Sequence, residues 1–366
     1  MTGALLLAIA TVLYPAQGDV RSRVFVAAML DRYGRSDSDG MDDRGHRVAA
    51  LRTLGVGGVR VTFNWSNVEK DRGQPDWSRL DSIVQEVRDA KLKVLGLLVA
   101  APAWARPPGT DPHHRPVVDG SEAHGDTAFA RFAAAAASRF RGKIELWEVW
   151  NEPNLEKYWF NVQGGVDLGP DPENYLKLFV PTRDAILGVD STAHVSTAGL
   201  APTGGQELVV RDPLNSQRRL TLLPPHEYLR ALIAHGLRPA YIALHPYSTR
   251  PPGVRNPGSS VAVFPDIVLD SVIAVLNEAG LSDTKVWVTE WGVQQHVGQP
   301  PEVARDWFTK GLRELLCRPR ISFVTIYALT DPYNKIGYSL VGSGGSLTAD
   351  GEALTATLRH WEGCHP

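Results

Sequence analysis

The chain of 366 residues is poor in cysteine and methionine, and it carries no cluster of positive charge. It has 2 cysteines, too few for the disulfide framework that holds a small secreted domain together, so a hydrophobic core must supply most of the stability. No run of lysine or arginine occurs, and the formal net charge is −2. Nucleic acids and anionic membrane surfaces both require a concentrated basic surface, so neither is the expected partner.

The sequence also lacks an apolar run long enough to cross a bilayer. The run Ala4–Leu13 near the N-terminus is too short, and small residues follow it at Ala16 and Gly18. This order is typical of a signal peptide cleaved after Gly18, although no basic residue precedes Arg21. We therefore expect residues 1–18 to be either the signal peptide of a secreted or cell-envelope protein or an N-terminal arm that packs on the folded domain.

Apolar residues make up 43% of the chain and charged residues 21%, which is typical of a globular protein with an ample core. Short β-branched and apolar runs recur eight times, and we predict strands at Val24–Met29, Gly58–Phe63, Val94–Val99, Ile144–Trp150, His194–Ala198, Tyr241–Leu244, Lys285–Thr289 and Ser322–Tyr327. Segments with helical periodicity lie between and after these runs, at Trp77–Lys91, Asp126–Phe140, Glu173–Leu187, His226–His235, Pro265–Ala279, Val303–Leu316 and Glu352–Trp361.

The regular alternation of strands and helices indicates parallel strands joined by helical crossovers. Eight such units favour a closed (β/α)₈ barrel, the TIM barrel, as a single α/β domain over residues 19–366. An open dinucleotide-binding sheet is less well supported, because the first strand–helix turn, Asp31–Arg44, lacks the closely spaced glycines of that fold.

Two predicted strands end at glutamates, and the ends of barrel strands are where active sites are built. Glu152 follows the fourth strand, where Pro153 is expected to hold it extended, and Glu290 follows the seventh. Strands four and seven lie three places apart in an eight-strand ring, so these carboxylates should face each other across a cleft. Two opposed carboxyl groups are what cleavage of a glycosidic bond requires, and their separation decides between retention and inversion.

The stretches around both glutamates, Trp147–Asn154 and Val288–Gly292, resemble glycoside hydrolase clan A. The closest resemblance is to the β-xylosidase-like family 39 and its bacterial exopolysaccharide-hydrolase relatives, and it extends from the first strand to the last. It implies that Glu152 is the general acid/base and Glu290 the nucleophile of a retaining β-glycoside hydrolase. It also implies that Asn151 binds the 2-hydroxyl of the sugar.

Other strand ends extend this resemblance. Arg60 in the second strand resembles the arginine that keeps the nucleophile ionised, since an adjacent guanidinium lowers the pKa of a carboxylate. His245 and Tyr247 resemble the pair that lines the catalytic floor and hydrogen-bonds the nucleophile, and Tyr327 occupies the place of an aromatic under the sugar. Glu148 shares strand parity with Glu152, and we interpret it as a structural carboxylate that points into the barrel and supports Arg60 or another charge.

Several aromatic residues fall just after predicted strands: Trp65, Trp104, Trp159, Trp291 and Tyr158. Their flat faces are suited to stacking on sugar rings, although some of them are expected to be packing at the rim of the barrel. We expect Trp104 and Trp291, and with them Trp65, to contact the ligand.

The sequence predicts a carbohydrate substrate and neither a metal nor a cofactor. His113 and His114 are adjacent, but no third ligand at a telling spacing accompanies them. Two alternatives remain open: a transglycosylase of the same fold, and a carbohydrate-binding scaffold without catalysis. The sequence does not fix the oligomeric state, and a monomer is the expectation.

The two cysteines are placed by the barrel topology. Every helix of such a barrel returns to the face opposite the catalytic one, so Cys317, after Val303–Leu316, and Cys364, after Glu352–Trp361, should lie at neighbouring helix ends. We therefore predict a disulfide that closes a loop of 46 intervening residues (364 − 317 − 1). A pair of reduced thiols is the alternative.

Overall fold

A computed structural model of the protein describes residues 19–28, 30, 44–116, 128–159, 162–163, 166–167, 169–203, 207–211, 217–247, 265–294, 300–330, 337–342 and 345–364. The segment 1–18, with its expected signal peptide or arm, lies outside these residues. Within these described ranges no helix is both long enough and apolar enough to span a membrane.

Eight parallel strands form a closed barrel, as the sequence predicts. They are β1 (Val24–Ala27), β2 (Gly58–Asn64), β3 (Lys93–Val99), β4 (Leu146–Val149), β5 (His194–Leu200), β6 (Tyr241–Leu244), β7 (Lys285–Trp291) and β8 (Ile321–Tyr327). Each strand pairs with its neighbours in the chain, and β1 closes the ring by pairing with β8. The (β/α)₈ architecture is confirmed.

A helix follows every strand: α1 (Arg44–Leu54), α2 (Ser78–Asp89), α3 (Ala128–Arg139), α4 (Pro172–Val189), α5 (Pro225–Ala234), α6 (Pro265–Glu278), α7 (Pro301–Leu316) and α8 (Ala349–Arg359). All seven predicted helices are present, with ends that agree to within three residues. The eighth, α1, has no predicted counterpart, because its polar first turn leaves only Val48, Leu51 and Leu54 as buried apolar residues. A single helical turn, Trp65–Val68, follows β2, and two short antiparallel hairpins follow β4 and β5.

Local sequence signals explain where these helices begin. Asp171 caps α4 by accepting hydrogen bonds from the amides of Glu173 and Asn174, and Pro172 occupies the first turn, where its missing N–H costs nothing. Within α4, the buried Tyr175 hydroxyl accepts from Ala198 N at 2.6 Å and donates to Val149 O at 2.9 Å. Tyr175 thus ties β4 to β5 immediately below the catalytic face.

The lower half of the barrel interior is filled with large apolar side chains. Phe25, Leu95, Ala243, Trp287 and Phe323 form one buried cluster, in which the Phe323 ring lies 4.7 Å from Phe25 and 5.2 Å from Trp287 between ring centroids. The interior is therefore a packed core at this level of the barrel.

The predicted disulfide between Cys317 and Cys364 is confirmed. Cys317 directly follows α7, Cys364 lies beyond α8, and their Cα atoms are 5.4 Å apart. Nearby, the Arg313 guanidinium of α7 lies 4.9 Å from the ring centroid of Trp361. The bridge therefore fastens the end of the described chain to the barrel, on the face opposite the catalytic one.

Removing this bridge should destabilise the protein without affecting its ligand site. For the pair Cys317→Ser and Cys364→Ser we expect the free energy of unfolding to fall by about 4 kcal/mol, the chain-entropy value for a loop of this length. Denaturant titration measures this loss. A reductant should destabilise the wild type and leave the double variant unchanged, and equal stability of the two oxidised proteins would contradict the prediction.

Candidate active site

The centre of the catalytic face is built around a buried arginine of β2. Arg60 donates from Nε to Glu148 Oε2 at 2.7 Å, from Nη1 to Glu290 Oε1 at 2.6 Å and from Nη2 to Asn151 Oδ1 at 3.0 Å. All three nitrogens of the guanidinium therefore donate a hydrogen bond, and the acceptors lie in β4, just after β4 and in β7. The predicted contact between Arg60 and Glu290 is present.

Glu148 is fully buried and fully bonded. Besides Arg60, it accepts hydrogen bonds at Oε1 from Gly199 N at 3.0 Å and from the Thr289 hydroxyl at 2.8 Å. A carboxylate removed from water is tolerated when it is paired and its remaining lone pairs are occupied, and both conditions are met here. The interpretation of Glu148 as a structural carboxylate that supports a charge inside the barrel is confirmed, and that charge is Arg60.

Glu290 reaches the cavity because β7 contains a bulge. Val288 pairs with Val324 of β8, whereas Trp291 pairs with Ile326, so β7 has one residue more than its partner between these points. The extra residue allows both Thr289 and Glu290 to face the interior. Glu290 accepts a second hydrogen bond at Oε2, from the Tyr247 hydroxyl at 3.0 Å.

These neighbours decide the charge of Glu290. Burial by itself raises the pKa of Glu290, but the charges of His245 and Arg60 and the hydrogen bonds from Tyr247 and Arg60 outweigh it. The pKa of Glu290 therefore lies below its ordinary value, and the carboxylate is ionised at neutral pH.

Glu152 projects from an unusual turn at the end of β4. Its φ of 43° lies in the left-handed region, so the expectation of an extended residue before Pro153 is wrong. The turn is imposed by cross-strand bonding, because Glu152 N donates to Gly199 O at 3.0 Å. Asn154 fixes the loop further by donating to Ala201 O and accepting from Ala201 N. Strain of this kind persists only where surrounding bonds enforce it.

His245 at the end of β6 contacts Glu152 more closely than Glu290, which corrects the expectation that it hydrogen-bonds the nucleophile. Its Nδ1 lies 2.8 Å from Glu152 Oε1 and 3.7 Å from Glu290 Oε2. Its Nε2 lies 3.1 Å from the hydroxyl of Thr289. Since that hydroxyl donates its only hydrogen to Glu148, it must accept one from Nε2 of His245.

With Nε2 protonated, His245 Nδ1 and Glu152 Oε1 hold a proton between them. Burial lowers the pKa of His245, but the charges of Glu290 and Glu152 and the hydrogen bond to Glu152 raise it more, so the net shift is upward. The site thus contains an ionised carboxylate, Glu290, beside a carboxylate–imidazole pair that retains a proton.

A cavity of about 430 Å³ opens above these groups. Its lining residues are Ala27, Ala28, Arg60, Thr62, Asn64, Leu97, Val99, His113, Asn151, Glu152, Lys157, Tyr158, Tyr247, Glu290, Tyr327 and Tyr338. Glu152 and Glu290 face it from opposite sides of the barrel and present oxygens within 4.8 Å of one another. Asn151, Tyr247 and Tyr327 line it as predicted.

Some lining residues were not predicted. Tyr338 lies well beyond β8, yet its ring approaches those of Tyr247 and Tyr327 at 5.6 and 6.1 Å between centroids. His113 and Lys157 belong to loops without regular structure, where no periodicity marks a residue as facing the ligand. Their one signal in the sequence is a position within a loop that follows a barrel strand.

The three tryptophans expected at the ligand lie elsewhere. Trp291 is buried and directed outward, because the bulge that presents Glu290 turns the next residue towards α7. There its ring lies 5.2 Å from that of Phe308 and packs against Gly311. The expectation that Trp291 stacks on a sugar in this cavity is therefore corrected.

Trp65 and Trp104 belong to an aromatic cluster outside the barrel mouth. Trp65 is fully buried and donates from Nε1 to Glu69 Oε2 at 2.7 Å. Trp104 is half-buried, donates to Glu69 O at 2.9 Å and packs edge-on against Trp65. It lines a separate hollow with Trp77, beside α3, and neither Trp65 nor Trp104 lines the cavity that holds Glu152 and Glu290.

Among the described residues, the donor atoms of Glu152, His245 and Glu290 are the one set close enough together to surround a cation. The guanidinium of Arg60 already bonds to Glu290. The ligand atoms of Glu152 and His245 face each other and share a proton. We therefore assign no metal to this group. His113 pairs with Asp111, and among the described residues neither His113 nor His114 belongs to a group of three possible ligands.

Neither a protein-family model nor a curated protein matches the chain. Solved structures do match. The chain is similar over 93% of its length to a family 39 glycoside hydrolase from the gut symbiont Bacteroides cellulosilyticus WH2, at 20% identity and a TM-score of 0.67, and it covers 64% of that protein. A monomeric β-xylosidase from Caulobacter crescentus CB15 is similar over 93% of this chain and 68% of its own, at 16% identity and a TM-score of 0.64.

Native xylanase 10B from Thermotoga maritima is also similar, over 93% of this chain and 96% of its own, at 14% identity and a TM-score of 0.58. At such identities the likeness establishes a common fold. The chain thus has the barrel fold of these glycoside hydrolases, and it spans less than two thirds of the length of the protein from Bacteroides cellulosilyticus.

Gly199 offers a test of how this site is packed. A methyl group there would overlap His245 Nε2 and lie 2.7 Å from Thr289 Oγ1, so Gly199→Ala must displace the imidazole. We expect the free energy of unfolding to fall by about 1–3 kcal/mol, the usual cost of overpacking. Gly188→Ala, in α4 with open space around its Cα, is the matched control and should be neutral or stabilising. Equal effects on denaturant unfolding would contradict this packing.

Proposed function

We propose that the protein is a retaining β-glycoside hydrolase that acts on an oligosaccharide or polysaccharide. The observation that carries this proposal is the pair formed by Glu152 and Glu290. Their oxygens approach within 4.8 Å, and the environment of Glu290 favours its ionised form while Glu152 shares a proton. Retaining enzymes need carboxyl groups roughly 5–5.5 Å apart, whereas inverting enzymes need a wider gap that admits a water molecule.

In the first step, Glu290 attacks the anomeric carbon while the proton held by Glu152 and His245 passes to the leaving oxygen. The glycosidic bond breaks, and a covalent glycosyl-enzyme forms. In the second step, Glu152 removes a proton from water, which attacks the anomeric carbon and releases Glu290. Arg60 and Tyr247 position Glu290 for both steps. Asn151 Oδ1 is held by Arg60, which leaves its amide nitrogen to donate to the sugar 2-hydroxyl.

A transglycosylase would use the same residues, with an acceptor sugar in place of water, and product analysis separates the two. A carbohydrate-binding scaffold without catalysis is less well supported. Binding alone has no use for two opposed carboxyl groups in a closed network, one bonded to Arg60 and the other to His245, because burying charged groups is costly.

We further propose that the protein is a monomer exported to the cell surface or beyond. The Cys317–Cys364 disulfide supports export, since such bonds persist in oxidising compartments.

Variants of the two carboxylates test the mechanism on a panel of aryl β-glycosides: xyloside, glucoside, galactoside, galactofuranoside and arabinoside. Glu290→Ala should lose about a thousandfold or more of kcat on the substrate that is cleaved, since the covalent step disappears. Glu152→Ala should mainly slow substrates with poor leaving groups, because an activated aryl group needs little protonation.

Azide should rescue Glu152→Ala and give a β-glycosyl azide, which reports both the acid/base role and retention. Glu145→Ala is the control, because Glu145 is exposed just before β4, on the face opposite the site, and its loss should not change kcat. Inactivity of the wild type on these glycosides and on polysaccharides would favour the scaffold. Equal loss by Glu152→Ala on good and poor leaving groups would refute its role as the acid.

The pH dependence of kcat/KM follows from the same contacts. The lowered pKa of Glu290 keeps it ionised in acid, so activity should fall only below 4.5, the ordinary pKa of a glutamate. The raised pKa of His245 means that its pair with Glu152 retains a proton above 6.5, the ordinary histidine value, so the basic limb should lie above that pH. The measurement is the pH profile of kcat/KM on a substrate with a poor leaving group, which depends on both carboxyl groups. A basic limb below pH 6.5 would contradict a proton shared by Glu152 and His245.

A further inference from the structure

One wall of the cavity carries positive charge that the proposed chemistry does not use. Lys157, in the loop after β4, lines the cavity and has no carboxylate within 4.0 Å among the described residues. Its Nζ lies 5.1 Å from the ring centroid of Tyr158. His113, in the loop after β3, also lies against Tyr158, with 5.4 Å between ring centroids.

His113 is directed by a neighbouring carboxylate. Its Nδ1 lies 2.8 Å from Asp111 Oδ1, which favours a proton on Nδ1 and leaves Nε2 as the second polar atom of the ring. Lys157 and His113 therefore flank one aromatic ring at the mouth of the cavity. Of the described lining residues, Lys157 is the one cation that no carboxylate neutralises, since Arg60 is bonded to both Glu148 and Glu290.

The floor of the cavity has the opposite charge. Glu148 and Glu290 both pair with the single guanidinium of Arg60, which leaves an excess of negative charge, so an anionic group on the sugar at the reaction centre would be repelled. An anion borne by the saccharide is favourable only away from this floor, and the wall with Lys157 is the place that the described residues provide for it.

The direction of the reaction indicates which sugar would carry this anion. Attack by Glu290 is in line with the departing bond, so the leaving group moves away from β7 and towards the acid Glu152 on β4. Lys157 and Tyr158 follow Glu152 in the same loop. They therefore lie on the side of the cavity that the leaving sugar occupies.

We propose that the cleft binds an acidic saccharide, whose leaving-side sugar carries a carboxylate or a sulfate ester that pairs with Lys157 beside His113. This inference rests on the proposed function for the assignment of the leaving side. The pairing itself is a property of the cavity wall and is measurable without turnover.

Binding of three monosaccharides tests the proposal: D-glucuronate, D-glucose 6-sulfate and D-glucose, titrated into the full chain and followed by ligand-observed NMR. We expect at least one of the two acidic sugars to bind about fivefold or more tightly than glucose at low ionic strength, the gain from one partly exposed ion pair. The preference should shrink at roughly 0.5 M salt, which screens such a pair. The better of the acidic sugars identifies the anionic group as carboxylate or sulfate.

Lys157→Met should abolish this preference, whereas Lys285→Met, an equal change of charge at the exposed start of β7, should retain it. Glucose binding as tight as that of both acidic sugars, or a preference that survives Lys157→Met, would overturn the proposal. Acidic preference without hydrolysis of any glycoside would support this inference and refute the proposed hydrolase. Hydrolysis of neutral glycosides without a preference for acidic sugars would support the proposed hydrolase and refute this inference.

Discussion

The guanidinium of Arg60 is the interaction on which the catalytic face depends. It is buried, and it bonds at once to Glu148 of β4, Glu290 of β7 and Asn151 beyond the end of β4. Only a closed barrel brings β2, β4 and β7 around one point in this way. Buried ion pairs are weak evidence for stability, because desolvation offsets most of their attraction. The arrangement is better understood as a device that keeps Glu290 ionised and fixed in position.

A chain of hydrogen bonds gives Glu152 surroundings that differ from those of Glu290. Glu148 accepts from Thr289, Thr289 accepts from His245, and His245 meets Glu152. Because each hydroxyl and ring nitrogen has one hydrogen to give, the direction of this chain follows from the donation of the Thr289 hydroxyl to Glu148. One buried carboxylate thereby influences both glutamates, holding Arg60 against Glu290 and orienting the histidine that shares a proton with Glu152.

The sequence was sufficient to predict the elements that repeat. Strands alternate with helices at a regular period, and the rule that chemistry lies at strand ends leads to Glu152 and Glu290. Arg60 and Tyr247 were expected from the resemblance to glycoside hydrolase clan A. Prediction from the sequence failed where a local irregularity interrupts the regular alternation of inward and outward residues in a strand. The bulge in β7 has no marker in the sequence, so Trp291 was expected to face the ligand although it faces α7.

Other features depend on contacts between distant parts of the chain. The left-handed turn at Glu152 is enforced by Gly199 on the neighbouring strand, and the preference of His245 for Glu152 over Glu290 is a matter of less than 1 Å between alternative partners. The residues of the mouth, Lys157 and Tyr338, lie in loops, where neither parity nor periodicity indicates orientation.

Gly199 shows how closely the geometry of the site depends on a missing side chain. Its amide donates to Glu148, its carbonyl accepts from Glu152 N, and the space beside its Cα is filled by the ring of His245. A residue with a side chain at this position of β5 would remove the imidazole from between Thr289 and Glu152. Moving the ring breaks its contacts with Thr289 and Glu152, and it also displaces a charge that lowers the pKa of Glu290. His245 therefore links the two glutamates, since the same ring shares a proton with Glu152 and lowers the pKa of Glu290.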